Sequence, residues 1–115
     1  MSTLFAGVPV ADYATAIAWY ERLFGRPPDV LVKEDEAMWQ AAEAGWVYVV
    51  ADRARAGNGL VTVIVDDLDE QLAELAGRGL ADATIETYSN GVRKATLTDP
   101  EGNTIGFGEV PRASE

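Results

Sequence analysis

Two of the side chains that most often do chemistry in proteins, histidine and cysteine, are absent from this 115-residue chain. Their absence removes the commonest general base, the soft metal ligands and any Ser-His or Cys-His triad. What remains is oxygen chemistry. Glu43, Glu86 and Tyr48 fall on or beside expected strands, where a carboxyl raised by burial, or a phenol, could pass a proton. No pairing among them defines an acid and a base, so the catalytic residues stay unknown. Two carboxylates without imidazole make at best a weak oxygen site for Mg²⁺ or Ca²⁺. The cluster Asp66, Asp67, Asp69 and Glu70 lacks calcium-loop spacing and reads as charge at a helix N-terminus. Gly57-Asn58-Gly59 is a turn signal, since no phosphate-binding glycine loop occurs in the chain.

The elements that must position these groups are written twice. LFAGVPVADY at 4–13 and GLVTVIVDDL at 59–68 superpose at an offset of 55, with Val8 on Val63, Val10 on Val65 and Asp12 on Asp67. Each copy is an apolar strand ending in Val-x-Asp and opening a helix, the mark of a domain built from two related halves. Asp12 is expected to cap a helix with the stripe Ala16, Ile17, Tyr20, Leu23 and Phe24, stopped by Gly25. Asp66 or Asp67 is expected to cap a second with the stripe Leu68, Leu72, Leu75 and Ala76, ended by Gly77 and Gly79. Three short strands follow each helix, at 29–33, 37–43 and 45–51, then near 82–88, 92–98 and 104–110. Asp99-Pro100-Glu101-Gly102-Asn103 is a hairpin connection, and 111–115 reads as a loose tail. The predicted fold is α+β: one domain over 1–115, in two tandem βαβββ modules at about 3–51 and 59–110. A linker at 52–58 joins them, and a curved mixed sheet surrounds a cavity.

A net charge of −10 argues against nucleic acid and against anionic membrane surfaces. No apolar run approaches the roughly 20 residues of a spanning helix. The N-terminus has no basic segment and no long apolar core, so the expected location is cytoplasmic.

If the valine-rich strand faces pack on the helices, the alternate residues face the cavity. These are Phe5, Gly7 and Pro9, then Trp46, Tyr48 and Val50, then Leu60, Thr62 and Ile64, and on the last strand Thr104, Gly106 and Gly108. Aromatic walls opposite a floor of glycine suit a flat or apolar ligand. Trp39 and Tyr88 are candidates to join the wall, and Lys94 and Thr96 to supply polar contacts.

Several of these segments resemble one family. Val10-Ala11-Asp12, the helix end Trp19-Tyr20-Glu21-Arg22-Leu23-Phe24-Gly25, Val65-Asp66-Asp67-Leu68 and the hairpin Asp99-Pro100-Glu101-Gly102-Asn103-Thr104-Ile105 are similar, in order, to the vicinal oxygen chelate superfamily. That is the fold of glyoxalases, bleomycin-resistance proteins and extradiol dioxygenases. In its metal-dependent members one ligand comes from each of four strands, and the matching positions here are Phe5, Tyr48, Leu60 and Gly106. The resemblance implies a divergent member lacking the metal ligands, with no cofactor. It would be a small-molecule binding protein holding an apolar or aromatic ligand in a resistance or sequestration role, at Phe5, Trp39, Trp46, Tyr48, Leu60, Thr62, Tyr88, Lys94 and Gly106. The alternative it implies is a glyoxalase-like lyase, isomerase or dioxygenase-type enzyme with a non-standard or absent metal site. Members of this fold often pair, so a homodimer is expected, with the cavity either within one chain or between two.

Overall fold

A computed structural model describes residues 2–111, so the tail expected at 111–115 lies outside the described residues from 112 onward. The elements run β1 (Leu4–Val10), α1 (Tyr13–Phe24), β2 (Val30–Lys33), β3 (Glu36–Ala42), β4 (Gly45–Ala51), β5 (Leu60–Ile64), α2 (Leu68–Gly77), β6 (Thr84–Thr87), β7 (Arg93–Thr98) and β8 (Thr104–Glu109). They form two four-stranded mixed sheets of the same plan, ordered β1-β4-β3-β2 and β5-β8-β7-β6. In each the opening strand lies parallel to the last, and the remaining pairs are antiparallel.

The repeat is borne out in chemistry as well as in order. Asp12 and Asp67 both stand at helix N-caps, accepting from the backbone N–H of Thr15 and of Glu70. Gly25 closes α1 in the left-handed region at φ 75°, where a Cβ is disfavoured. Arg78, from the far end of α2, donates to the carbonyls of Arg22 and Leu23 at the end of α1. The second half thus caps a helix of the first.

The helix-covered faces of the two sheets share one core. Val8, Val10, Val47 and Val49 of the first module and Leu68, Leu75, Ala95, Leu97, Ile105 and Phe107 of the second belong to a single buried cluster. Tyr20 sits at its centre, fully buried. Its hydroxyl donates to Asp99 at 2.8 Å. Burial, and then the Asp99 carboxylate, push the phenol far above its ordinary range, so it remains a donor at all physiological pH.

The 99–103 hairpin does more than turn the chain. Glu101 accepts the backbone N–H groups of Ala11 and Asp12 at 2.6 and 2.7 Å, closing the exit of β1. Asn103, fully buried, accepts from Gly59 N–H at 2.6 Å and donates to the Pro9 carbonyl at 3.0 Å. This hairpin holds the start of β5 against the end of β1.

Three carboxyls are held below their ordinary values. Asp12 is lowered first by the Thr15 N–H, Asp29 first by Arg26, and Glu109 first by the Leu68 N–H. Groups with depressed folded values add stability that is fully present above the unfolded value of about 4 and is lost as the pH falls through the folded value. The urea midpoint is therefore expected to drop below pH 4. In Asp29→Asn it should start lower at neutral pH and fall less steeply through that window. An equally steep fall in the variant would remove Asp29 from this account.

Candidate functional site

The uncovered faces of the two sheets carry the candidate site. On the first sheet Phe5 lies opposite Trp46 and Gly7 opposite Tyr48 across the parallel β1–β4 pair. Phe5 and Trp46 stack with centroids 6.2 Å apart and planes 20° from parallel. No helix covers them: Phe5 is 49% exposed, against complete burial for the core aromatics. Met38 is paired with Tyr48, and Gln40 with Trp46, on the same face.

Trp39 is corrected. It was expected in the wall, but β3 presents Met38 and Gln40 there. Trp39 occupies the opposite face, fully buried, with its ring 5.1 Å from Phe24 and its Nε1–H donating to the Arg26 carbonyl at 3.0 Å. On this strand the odd positions Ala37, Trp39 and Ala41 are all apolar, whereas the even ones, Glu36, Met38 and Gln40, are mixed. The two polar members of the even set were the signal that it faces outward.

On the second sheet Leu60, Thr62 and Ile64 line up with Thr104, Gly106 and Gly108. Thr96 pairs with Gly106, and Lys94 with Gly108 and Glu86. Leu60 and Ile64 are 76% and 57% exposed. Tyr88 lies beyond the end of β6 at the outer margin of this sheet, exposed, with its hydroxyl 3.5 Å from Glu86. It is not brought beside the aromatic wall.

The glycines of the site do not leave an empty floor, which corrects the second expectation. A Cβ on Gly7 would lie 2.5 Å from Cζ of Tyr48, one on Gly106 2.5 Å from Cε of Lys94, and one on Gly108 2.9 Å from Cδ1 of Ile64. Each glycine makes room for a neighbouring long side chain that folds down over it.

The two modules meet along the β1 and β5 edges, and there the structure brings candidate residues of both together. A cleft of about 230 Å³ has Trp46 on one side and Thr62 and Ile64 on the other. A shallower hollow near the linker is lined by Gly7, Pro9 and Leu60. The first is smaller than the roughly 300–1,000 Å³ of an ordinary closed ligand pocket, and the second, at about 580 Å³, lies open to solvent rather than enclosing a ligand.

The four positions that correspond to ligands in metal-dependent members do not fit a metal. Phe5 and Leu60 offer hydrocarbon, Gly106 offers no side chain, and Tyr48 offers one phenol. The space above Gly106 is taken by the stem of Lys94, whose ammonium repels a cation. Glu109 cannot step in, because it turns to the helix side, accepting the Leu68 N–H at 2.8 Å and pairing with Arg93 at 2.9 Å. Glu43 sits in the β3–β4 turn and Glu86 on the far sheet. Among the described residues no group of three acidic side chains gathers as a metal site would require.

Comparison with known proteins agrees with this architecture. No protein-family model matches the chain, and no curated protein matches it. Among solved structures it is similar to a glyoxalase/bleomycin resistance protein from Catenulispora acidiphila. Identity is 47%, over 96% of this chain and 100% of that one, with a TM-score of 0.90. It has the same fold as the bleomycin resistance determinant encoded on transposon Tn5, at 20% identity over 97% and 100% of the two chains and a TM-score of 0.77. A bleomycin-binding protein complexed with bleomycin matches at 20% identity, over 96% and 98%, with a TM-score of 0.73. The fold thus recurs over the full length of a relative that shares nearly half its residues. The chain belongs to the glyoxalase/bleomycin resistance family of the vicinal oxygen chelate superfamily.

Proposed function

We propose that this protein is a metal-independent small-molecule binding protein that sequesters an apolar or aromatic ligand on the face bearing Phe5, Trp46 and Tyr48. The observation that carries the reading is the stacked Phe5–Trp46 pair left half-open on a sheet face, while Trp19, Tyr20, Trp39 and Phe107 are buried on the helix side. Stacked rings present a flat apolar surface at little entropic cost. The donor-poor set Phe5, Tyr48, Leu60 and Gly106 supports binding without a metal. A fold shared with a protein complexed with bleomycin supports a drug-sequestering role. The ligand site is completed in a cytoplasmic homodimer, where the first module of one copy faces the second module of the other. The exposure of Leu60 and Ile64 opposite no partner supports this closure.

Native mass spectrometry of gently purified protein, with elemental analysis, tests metal content and oligomeric state together. A stoichiometric divalent metal would overturn the metal-independent reading, and a monomer at micromolar concentration the dimeric one. Ligand binding is tested by isothermal titration calorimetry with an apolar aromatic such as 2-naphthylmethanol. Trp46→Ala is expected to weaken it about 30-fold, the equivalent of about 2 kcal/mol for a lost aromatic contact. Unchanged affinity in folded Trp46→Ala and Tyr48→Ala proteins would remove this face from the proposal.

A further inference from the structure

Among the described residues, the open face of the second sheet carries one basic side chain, Lys94. The other cation of its strands, Arg93, turns to the helix side and is spent on Asp69 and Glu109 at 3.2 and 2.9 Å. Lys94 forms no ion pair or side-chain hydrogen bond among the described residues, although the chain is strongly acidic and Glu86 lies directly across the ladder. Its stem is half-buried over Gly106. A Cβ at that glycine would lie 2.5 Å from Lys94 Cε, 3.5 Å from its Nζ and 3.4 Å from Thr62 Oγ1. Thr96 is the ladder partner of Gly106 on the same face. The missing side chain at 106 therefore lets the Lys94 side chain lie down over the sheet, on the face that also carries Thr62 and Thr96.

An unpaired ammonium held flat beside hydroxyls is a receptor for an anion. Lysine is a compact point charge with three donors, and its bonds to a carboxylate are of the stronger, charge-assisted kind. The geometry points to a ligand of defined class: an aromatic or apolar body carrying one anionic group, a carboxylate or a similar oxyanion. In the dimer proposed above, the body rests on the aromatic face of one copy, and the anion is received by Lys94, Thr62 and Thr96 on the second module of the other. The positive charge at this position is thus supplied by the chain itself. This inference rests on the small-molecule binding reading above and adds the charge of the ligand to it.

The test uses a matched pair of probes, 2-naphthoate and 2-naphthylmethanol, with wild-type protein, Lys94→Met and Lys94→Arg, read by tryptophan quenching. In the wild type, naphthoate is expected to bind roughly tenfold more tightly than the alcohol. In Lys94→Met, which keeps the stem and loses the charge, the two affinities should fall within twofold of one another. Lys94→Arg should restore a preference for the anion. Equal binding of both probes by the wild type would overturn the inference and leave the binding proposal standing. Binding of neither at millimolar concentration would overturn both. Weakened subunit association in Lys94→Met, with the naphthoate preference intact, would assign Lys94 to the contact between copies and also overturn the inference.

Discussion

Trp39→Ala is expected to lower the stability of this protein by about 4 kcal/mol, in the range of roughly 3–5 kcal/mol for losing a large buried aromatic. Trp46→Ala should cost less than about 1 kcal/mol, as for substitutions away from the core. Both are tryptophans on neighbouring strands of one sheet, separated by seven positions. The difference is the face. The Trp39 indole is fully buried, stacked 5.1 Å from Phe24 and 6.2 Å from Tyr20, and its Nε1–H satisfies the Arg26 carbonyl. Truncation leaves a cavity and orphans that carbonyl. The Trp46 ring meets Phe5 on a face that no helix covers. Urea unfolding checks the stabilities and isothermal titration calorimetry the binding. A Trp39→Ala protein as stable as the wild type would return this residue to the wall. A strongly destabilised Trp46→Ala protein would make the open face structural.

Asn103→Ala is expected to be nearly as damaging, by about 3 kcal/mol, because buried partners left unpaired cost roughly 1–3 kcal/mol each. For a chain of this size that is on the order of 10 °C in melting temperature. The side chain is fully buried and saturated: Oδ1 accepts from Gly59, and Nδ2 donates to Pro9 and to Asp99 at 2.9 Å. Alanine leaves the Gly59 N–H and the Pro9 carbonyl without partners at the junction of the two modules, and takes a donor from Asp99. Asn103→Asp should be no better, since it offers no amide donor to Pro9 and places a second carboxylate beside Asp99. Calorimetry decides. A melting temperature within 2–3 °C of the wild type, for which the energy scale is about 1 kcal/mol or less, would show that the hairpin does not hold the modules together.

The same hairpin shows where reading the chain stops. Asp99-Pro100-Glu101-Gly102-Asn103 was legible as a turn because proline and glycine preset local backbone angles, and such effects reach only a few residues. Its bonds to Pro9, Ala11 and Asp12 span about ninety positions, and no local preference encodes a partner at that separation. The first helix was legible to the residue at its N-cap, Asp12, and the second to one of two neighbours, of which the structure selects Asp67; each serves an N–H three positions on.

The site divides along the same line. On β1 and β5 the valine alternation is clear, on β4 Val47 and Val49 and on β8 Ile105 and Phe107 continue it, and Phe5, Trp46, Tyr48, Leu60, Thr62 and Gly106 lie on the opposite face. Strand β3 offers apolar residues at both parities, and the choice went to whichever set α1 could bury, which is Trp39. The glycines misled for a related reason. Composition shows that a side chain is missing but not which neighbour fills the space, and Tyr48 and Lys94 reach across from other strands to do so. By itself, then, the sequence determined the repeated βαβββ plan, the first helix cap, the faces of the well-patterned strands and the absence of histidine and cysteine. Periodicity, local hydrogen bonding and residue chemistry are properties of short stretches of chain. Only the tertiary structure decided which tryptophan is core, how the modules are stapled and where the Lys94 charge comes to rest. Those outcomes depend on contacts between residues distant in sequence, selected by packing.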